Sequence, residues 1–287
     1  MSAQLTWPIV AWVLFGALLH ASWNALVKSS KDKALDTAMI HLLGSFIAMP
    51  VVGVLGWPPA AVWPFIAGSV AIHVAYHFAL SSAYEHGELG LTYPLMRGAA
   101  PLLVAMSSVL LLGERLSATA WVGVLGVCAG VLVLGLSKHA MDSPRAVRFA
   151  LVNAVIIALY TVVDALGARA TTVAGGSAMQ YVAALFVLHG WPFALIILWR
   201  RGPAVVGPYV RARWRLSLCG AVASMGSYAI ALWAMTHAPV ATVAALRETS
   251  VLFAALLGTW LLKERFTPRR AVGTAAILAG VMSLRMS

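Results

Sequence analysis

The sequence predicts an all-α integral membrane protein: ten transmembrane helices arranged as two inverted five-helix repeats. Three observations lead there, namely its composition, the spacing of its apolar runs and a likeness between its two halves. Of 287 residues, 61% are hydrophobic and 10% charged, with mean hydropathy +0.89. Soluble domains carry about 25% charged residues because their surface faces water. Twenty basic and nine acidic side chains are too few for that. A cytosolic enzyme, a disordered tail and a secreted disulfide scaffold are thereby excluded. Cys128 and Cys219 lie in apolar stretches without CxxC spacing, so no metal or redox motif is supported.

A helix rising 1.5 Å per residue crosses about 30 Å of hydrocarbon in about 20 residues. Apolar runs of that length fall at 8–27, 36–56, 62–84, 90–112, 119–137, 147–168, 178–199, 215–236, 239–261 and 269–286. They lack the period-two alternation of a membrane barrel. The first is not read as a cleavable signal: no basic residue precedes it, and His20, Trp23, Asn24 and Lys28 stand where small residues would mark cleavage.

The loops after odd-numbered spans hold fifteen basic residues, within 28–33, 138–148, 200–215 and 263–270. The other face holds three, Arg115, Arg169 and Arg285, and two arginines lie inside spans. Basic loops stay cytoplasmic, which places both termini on the opposite, outer side of the membrane. The net charge of +11 is therefore mostly an orientation signal. Nucleic-acid binding is not expected, because the charges are spread over four loops with no aromatic platform.

Shifting the sequence by 150 positions aligns 97–134 with 247–284 without a gap, and 13 of those 38 columns are identical. They include Arg97/Arg247, Glu114-Arg115/Glu264-Arg265, Gly123/Gly273 and Ala129-Gly130-Val131/Ala279-Gly280-Val281. A weaker match pairs Asn24-Ala25-Leu26 with Asp164-Ala165-Leu166. The halves divide as 1–140 and 141–287. With five spans each, the second half enters the membrane from the opposite face. Inverted repeats are characteristic of secondary transporters, which bind cargo between the repeats. Gly123, Gly126, Gly130, Gly273, Ala276 and Gly280 suit close helix packing.

With Trp23-Asn24-Ala25-Leu26-Val27-Lys28 in the first span and Leu112-Gly113-Glu114-Arg115 and Leu262-Lys263-Glu264-Arg265 after the fourth and ninth, the whole chain resembles EamA-type members of the drug/metabolite transporter superfamily. The segment His20 to Ser30 also resembles a subset associated with phosphonate utilisation. The resemblance implies an inner-membrane secondary carrier whose central cavity is lined by spans 1, 3, 4, 6, 8 and 9. It leaves the cargo open among amino acids, nucleotide sugars, phosphorylated metabolites and cationic drugs.

Ionisable groups inside spans cost at least about 2.5–3.5 kcal/mol each to insert, which makes them functional candidates. Arg97 and Arg247, mates under the repeat, approach the membrane centre from opposite faces. Each has three readings: snorkelling to the interface, a structural pair with Glu248 or Asp164, or bidentate binding of an anionic cargo group. Pro94 and Pro101 bracket Arg97, which predicts either a broken helix at the cavity or a packing kink. Glu248, about 100° around the helix from Arg247, is a candidate to bind a substrate ammonium or carry a coupling proton, and Asp164 is a second candidate proton carrier, with structural hydrogen bonding its alternative. His77, with His73 one turn before it, is expected to line the cavity. His20, Trp23, Asn24, Tyr93 and Tyr228 complete the candidate substrate-binding set. His41 and His189 are expected to be satisfied by neighbouring helices. Trp7, Trp57, Trp63 and Trp214 suit interfacial anchoring.

The expected function is export of a small anionic or zwitterionic metabolite, amino-acid-like or phosphonate- or organophosphate-like, by alternating access. Proton coupling fits the two acids. Alternatives are a cationic-drug exporter and a non-transport membrane interaction protein. No enzyme, cofactor or metal is expected: there is no GxxxxGK[ST] and no convergent catalytic set. Partners are the small-molecule substrate and the lipid bilayer, with a monomer or homodimer both open.

Overall fold

The structure is a computed structural model and describes residues 5–86, 89–135, 144–262 and 267–287. Its regular segments are all helical: α1 (Trp7–Lys28), α2 (Lys33–Leu55), a 3-10 turn (Ala60–Val62), α3 (Trp63–His86), α4 (Leu89–Leu112), α5 (Ala118–Gly135), α6 (Pro144–Val173), α7 (Ala178–Arg201), α8 (Pro203–Met235), α9 (Val240–Arg247), α10 (Thr249–Leu262) and α11 (Pro268–Arg285). Local chemistry sets several boundaries. Asp32 accepts from the Leu35 amide to start α2, and Ser177 and Gln180 form a reciprocal capping box on α7. Thr267 caps α11 ahead of a first-turn proline.

Among the described residues, seven helical stretches are long and apolar enough to cross a membrane, those at Trp7–Lys28, Lys33–Leu55, Ala60–His77, Pro94–Leu112, Pro144–Val173, Ala178–Arg201 and Pro203–Met235. The chain is a multi-pass membrane protein. Its outer faces carry Trp12, Phe15, Leu110, Leu111, Val122, Leu151, Leu195 and Val222 exposed, as a hydrocarbon solvent allows. Trp7, Trp57, Trp63 and Trp214 are likewise at least a third exposed. Three predicted spans fall short by length or polarity. α5 is a shorter apolar helix, α11 carries Arg269, Arg270 and Arg285, and the run 239–261 is divided into α9 and α10.

Of the two readings left open for the fourth span, a broken helix or a packing kink, the broken helix is not made: α4 runs through Pro94 and Pro101 without interruption. The interruption falls instead at Glu248, where the helix tightens: the Glu248 amide donates to Ala245 O at 3.0 Å and the Val251 amide to Glu248 O at 3.0 Å. Such three-residue bonds are 3-10 geometry. Thr249 stabilises it by donating its hydroxyl to Leu246 O at 2.8 Å.

The densest pairing is α5 with α11, followed by α2 with α7, α3 with α6, α4 with α6 and α1 with α8. Glycines let α5 and α11 touch backbone to backbone. A Cβ on Gly130 would lie 2.8 Å from Gly273 O, and one on Gly280 2.7 Å from the Val127 amide nitrogen. On α7, Gly190 meets the backbone of His41 and the side chain of Ser45 on α2, and Ser45 donates to Phe186 O at 2.7 Å.

Polar clusters close both ends. Where α1 ends and α2 and α8 begin, Arg213 pairs with Asp36 at 2.7 Å, Tyr209 donates to Asp36 at 2.9 Å, and Arg201 pairs with Asp32 at 3.0 Å. Where α4, α6 and α8 end and α9 begins, Arg169 pairs with Glu114 and donates to the carbonyls of Met235 and Ala238. Glu114 in turn accepts from the Val240 amide at 3.0 Å with both oxygens. A carboxylate there faces the positive end of α9.

Candidate functional site

Eight helices converge on one cavity. α1 contributes His20, Trp23 and Asn24, α2 His41, α3 His73, Tyr76 and His77, and α4 Arg97. The second half adds Tyr160 from α6, Leu185, Phe186 and His189 from α7, Ser224, Ser227 and Tyr228 from α8, and Arg247 from α9. The cavity volume is about 90 Å³, against the 10–15 Å³ or so that one water requires, so it has room for more than one water.

The cationic part is built by α4 and α9. Arg97 Nε lies 2.8 Å from Glu248 Oε2, with side chains 9% and 6% exposed, and Arg97 Nη2 donates to Ser250 Oγ at 3.1 Å. Of the alternatives for Arg97, the pair with Glu248 is thus made. As neighbours about 100° apart around the helix, the side chains of Arg247 and Glu248 diverge: Glu248 reaches Arg97, while Arg247 lies over the Tyr228 ring, 5.6 Å from its centroid, and faces the cavity. A smaller recess between Arg97, Arg247, Glu248, Tyr160 and Thr161 joins the two. Asp164 is fully buried off the cavity wall, where it accepts from the hydroxyls of Tyr181, at 2.8 Å, and Tyr228.

The other part is a cluster of imidazoles. His41 packs edge-on against His77 and His189 with centroids 5.2 Å apart in each case, and His189 lies 5.2 Å from His73. His77 stacks on Phe193 at 4.4 Å and His73 on Tyr160 at 4.5 Å. Tyr160 therefore borders both the imidazoles and the arginines. His41 meets His77 and His189 face to edge, His73 and His189 are tilted by 52°, and among the described residues no trio of His, Cys, Asp or Glu is placed to hold a metal ion.

Of the residues the sequence nominated, Arg97, Arg247, His77, Trp23, Asn24, His20 and Tyr228 share this wall. Glu248 stands behind Arg97 and Asp164 behind Tyr228. The Tyr93 side chain lies outside the described residues. Two helices beyond the six implied by the resemblance reach the cavity, α2 and α7, because their close approach at Gly190 brings His41 and His189 inward. Those two histidines were expected to be satisfied by neighbouring helices, yet an ionisable group within an apolar run is a signal that marks function inside a membrane.

Residues 144–286 match the EamA-like transporter family. Over 274 residues the chain is 27% identical to an uncharacterized protein of Pseudomonas aeruginosa, across 92% of this chain and 90% of that one. A solved protein crystal structure is similar with a TM-score of 0.75 over 97% of this chain and 96% of that chain, at 20% identity, a likeness of fold alone.

Proposed function

The chain belongs to the EamA-like transporter family, and we propose that it is a secondary carrier exporting a small anionic or zwitterionic metabolite across the bacterial inner membrane. Amino-acid-like and phosphonate- or organophosphate-like solutes are the cargo classes. The observation that carries this reading is the pair Arg97 and Arg247, two guanidiniums from different helices on one cavity wall. A planar guanidinium binds carboxylate or phosphate bidentately. A cationic drug would instead need an available acid, and Glu248 is engaged by Arg97 at 2.8 Å.

Alternating access between two five-span halves supplies the movement. The helix pairing supports it: exchanging each helix of residues 1–140 with its mate turns the α1–α8 contact into α6–α3, and both are made. The α5–α11 and α2–α7 contacts exchange with themselves. Glu248 and Asp164 are the groups proposed to couple protons to transport, because they are buried acids in contact with cavity-lining side chains.

The test is a thermal-shift screen of purified protein against a metabolite panel, followed by counterflow of each hit in vesicles. Counterflow of an anionic or zwitterionic hit, lost in Arg97→Gln, is expected. Normal transport by that variant removes the anion-site reading, and a panel with no hit favours the interaction-protein alternative.

A further inference from the structure

We infer that the cavity selects anions that carry no ammonium group, which narrows the carrier reading on which it rests. The wall holds two arginines and five histidines, and among the described residues no carboxylate lines it. The two acids nearest to it are both engaged. Glu248 bonds to Arg97, and Asp164 accepts from the hydroxyls of Tyr181 and Tyr228. The ammonium of a zwitterion would meet neutral acceptors only: Asn24, Ser224, Ser227, tyrosine hydroxyls and imidazoles.

Aromatic faces are the remaining hosts for an ammonium. A cation–π contact is worth a factor of about 2–30 in affinity. Like-charge juxtaposition opposes it by more than about a hundredfold. The repulsion wins, and the Tyr228 ring already carries the Arg247 guanidinium. An anionic head at the arginines, with an uncharged hydroxyl or carbonyl reaching the neutral polar side chains of the wall, suits this lining. A carboxylate and a phosphate or phosphonate share this chemistry.

Matched pairs of probes that differ only in hydroxyl for ammonium test the inference on the full-length protein: lactate against alanine, glycolate against glycine, and 2-hydroxyethylphosphonate against 2-aminoethylphosphonate. Binding calorimetry and counterflow should favour the hydroxyl member of each pair that binds by at least about tenfold. The phosphonate pair against the carboxylate pairs separates the two kinds of head group. Equal or tighter binding of the amine member overturns the inference and leaves the carrier reading standing. Failure of every probe to bind or exchange overturns both. Ser227→Asp, which sets a carboxylate on the wall, should lower the hydroxyl-to-amine ratio at least about tenfold. An unchanged ratio in folded variant protein counts against the inference.

Discussion

Removing Glu248 probes an ion pair that links the cavity arginine of α4 to the break between α9 and α10. In Glu248→Gln the guanidinium of Arg97 stays buried, its side chain 9% exposed, without the carboxylate that stood 2.8 Å away. Deleting one partner of a buried pair typically costs 3–5 kcal/mol, because the surviving charge is left desolvated. Arg97 keeps its bond to Ser250 Oγ at 3.1 Å, so the lower end, about 3 kcal/mol, is expected. Arg97→Gln/Glu248→Gln removes both charges and leaves two amides within hydrogen-bonding reach. It should recover most of the loss, with a coupling of at least about 2 kcal/mol in the cycle of single and double variants. Reversible denaturant unfolding of the purified protein in mixed micelles measures each corner. A Glu248→Gln variant as stable as the parent, or a coupling under about 0.5 kcal/mol, would refute a buried, stabilising pair.

Three further outcomes follow from packing and charge. Gly130→Ala would place a Cβ 2.6 Å from Ile277 Cγ1 and 2.8 Å from Gly273 O. Backbone cannot move aside as a side chain can, so a loss of about 1–3 kcal/mol in the same unfolding assay is expected. Gly53→Ala meets nothing within 4 Å and should be neutral or more stable by up to about 1 kcal/mol. A reporter fused after Ser287 should behave as periplasmic, since fifteen of twenty basic residues lie in the loops expected on the cytoplasmic side. Cytoplasmic activity there would reverse the orientation.

The membrane class and the arginine pair were legible in the sequence because each depends on a local property: apolar run length, and charge where charge is expensive. The repeat at 150 residues also singled out Arg97 and Arg247 without any knowledge of contacts. What the sequence left open is side-chain direction. The 3-10 turn between α9 and α10 is favoured by the Thr249 hydroxyl, which belongs to no turn motif. Proline was the stronger local signal, and α4 absorbed both of its prolines within the helix. His41 and His189 enter the cavity through the fit of Gly190 against α2, a long-range contact that periodicity does not encode. Asp164 read equally well as proton carrier or hydrogen-bond acceptor. The hydroxyls of Tyr181 and Tyr228, 17 and 64 residues away, give it the bonds of an acceptor.

The central claim is that the cavity arginines carry an anion across the membrane. Counterflow of an anion bound by the purified protein, measured side by side in vesicles holding the parent, Arg247→Lys and Arg247→Gln, tests it most directly. Arg247 keeps no carboxylate pair among the described residues, and its ring partner Tyr228 remains in both variants. Exchange is expected in the parent, weakened exchange with lysine, which keeps the charge but not the bidentate fork, and loss of at least about tenfold with glutamine. Equal exchange in all three would contradict it.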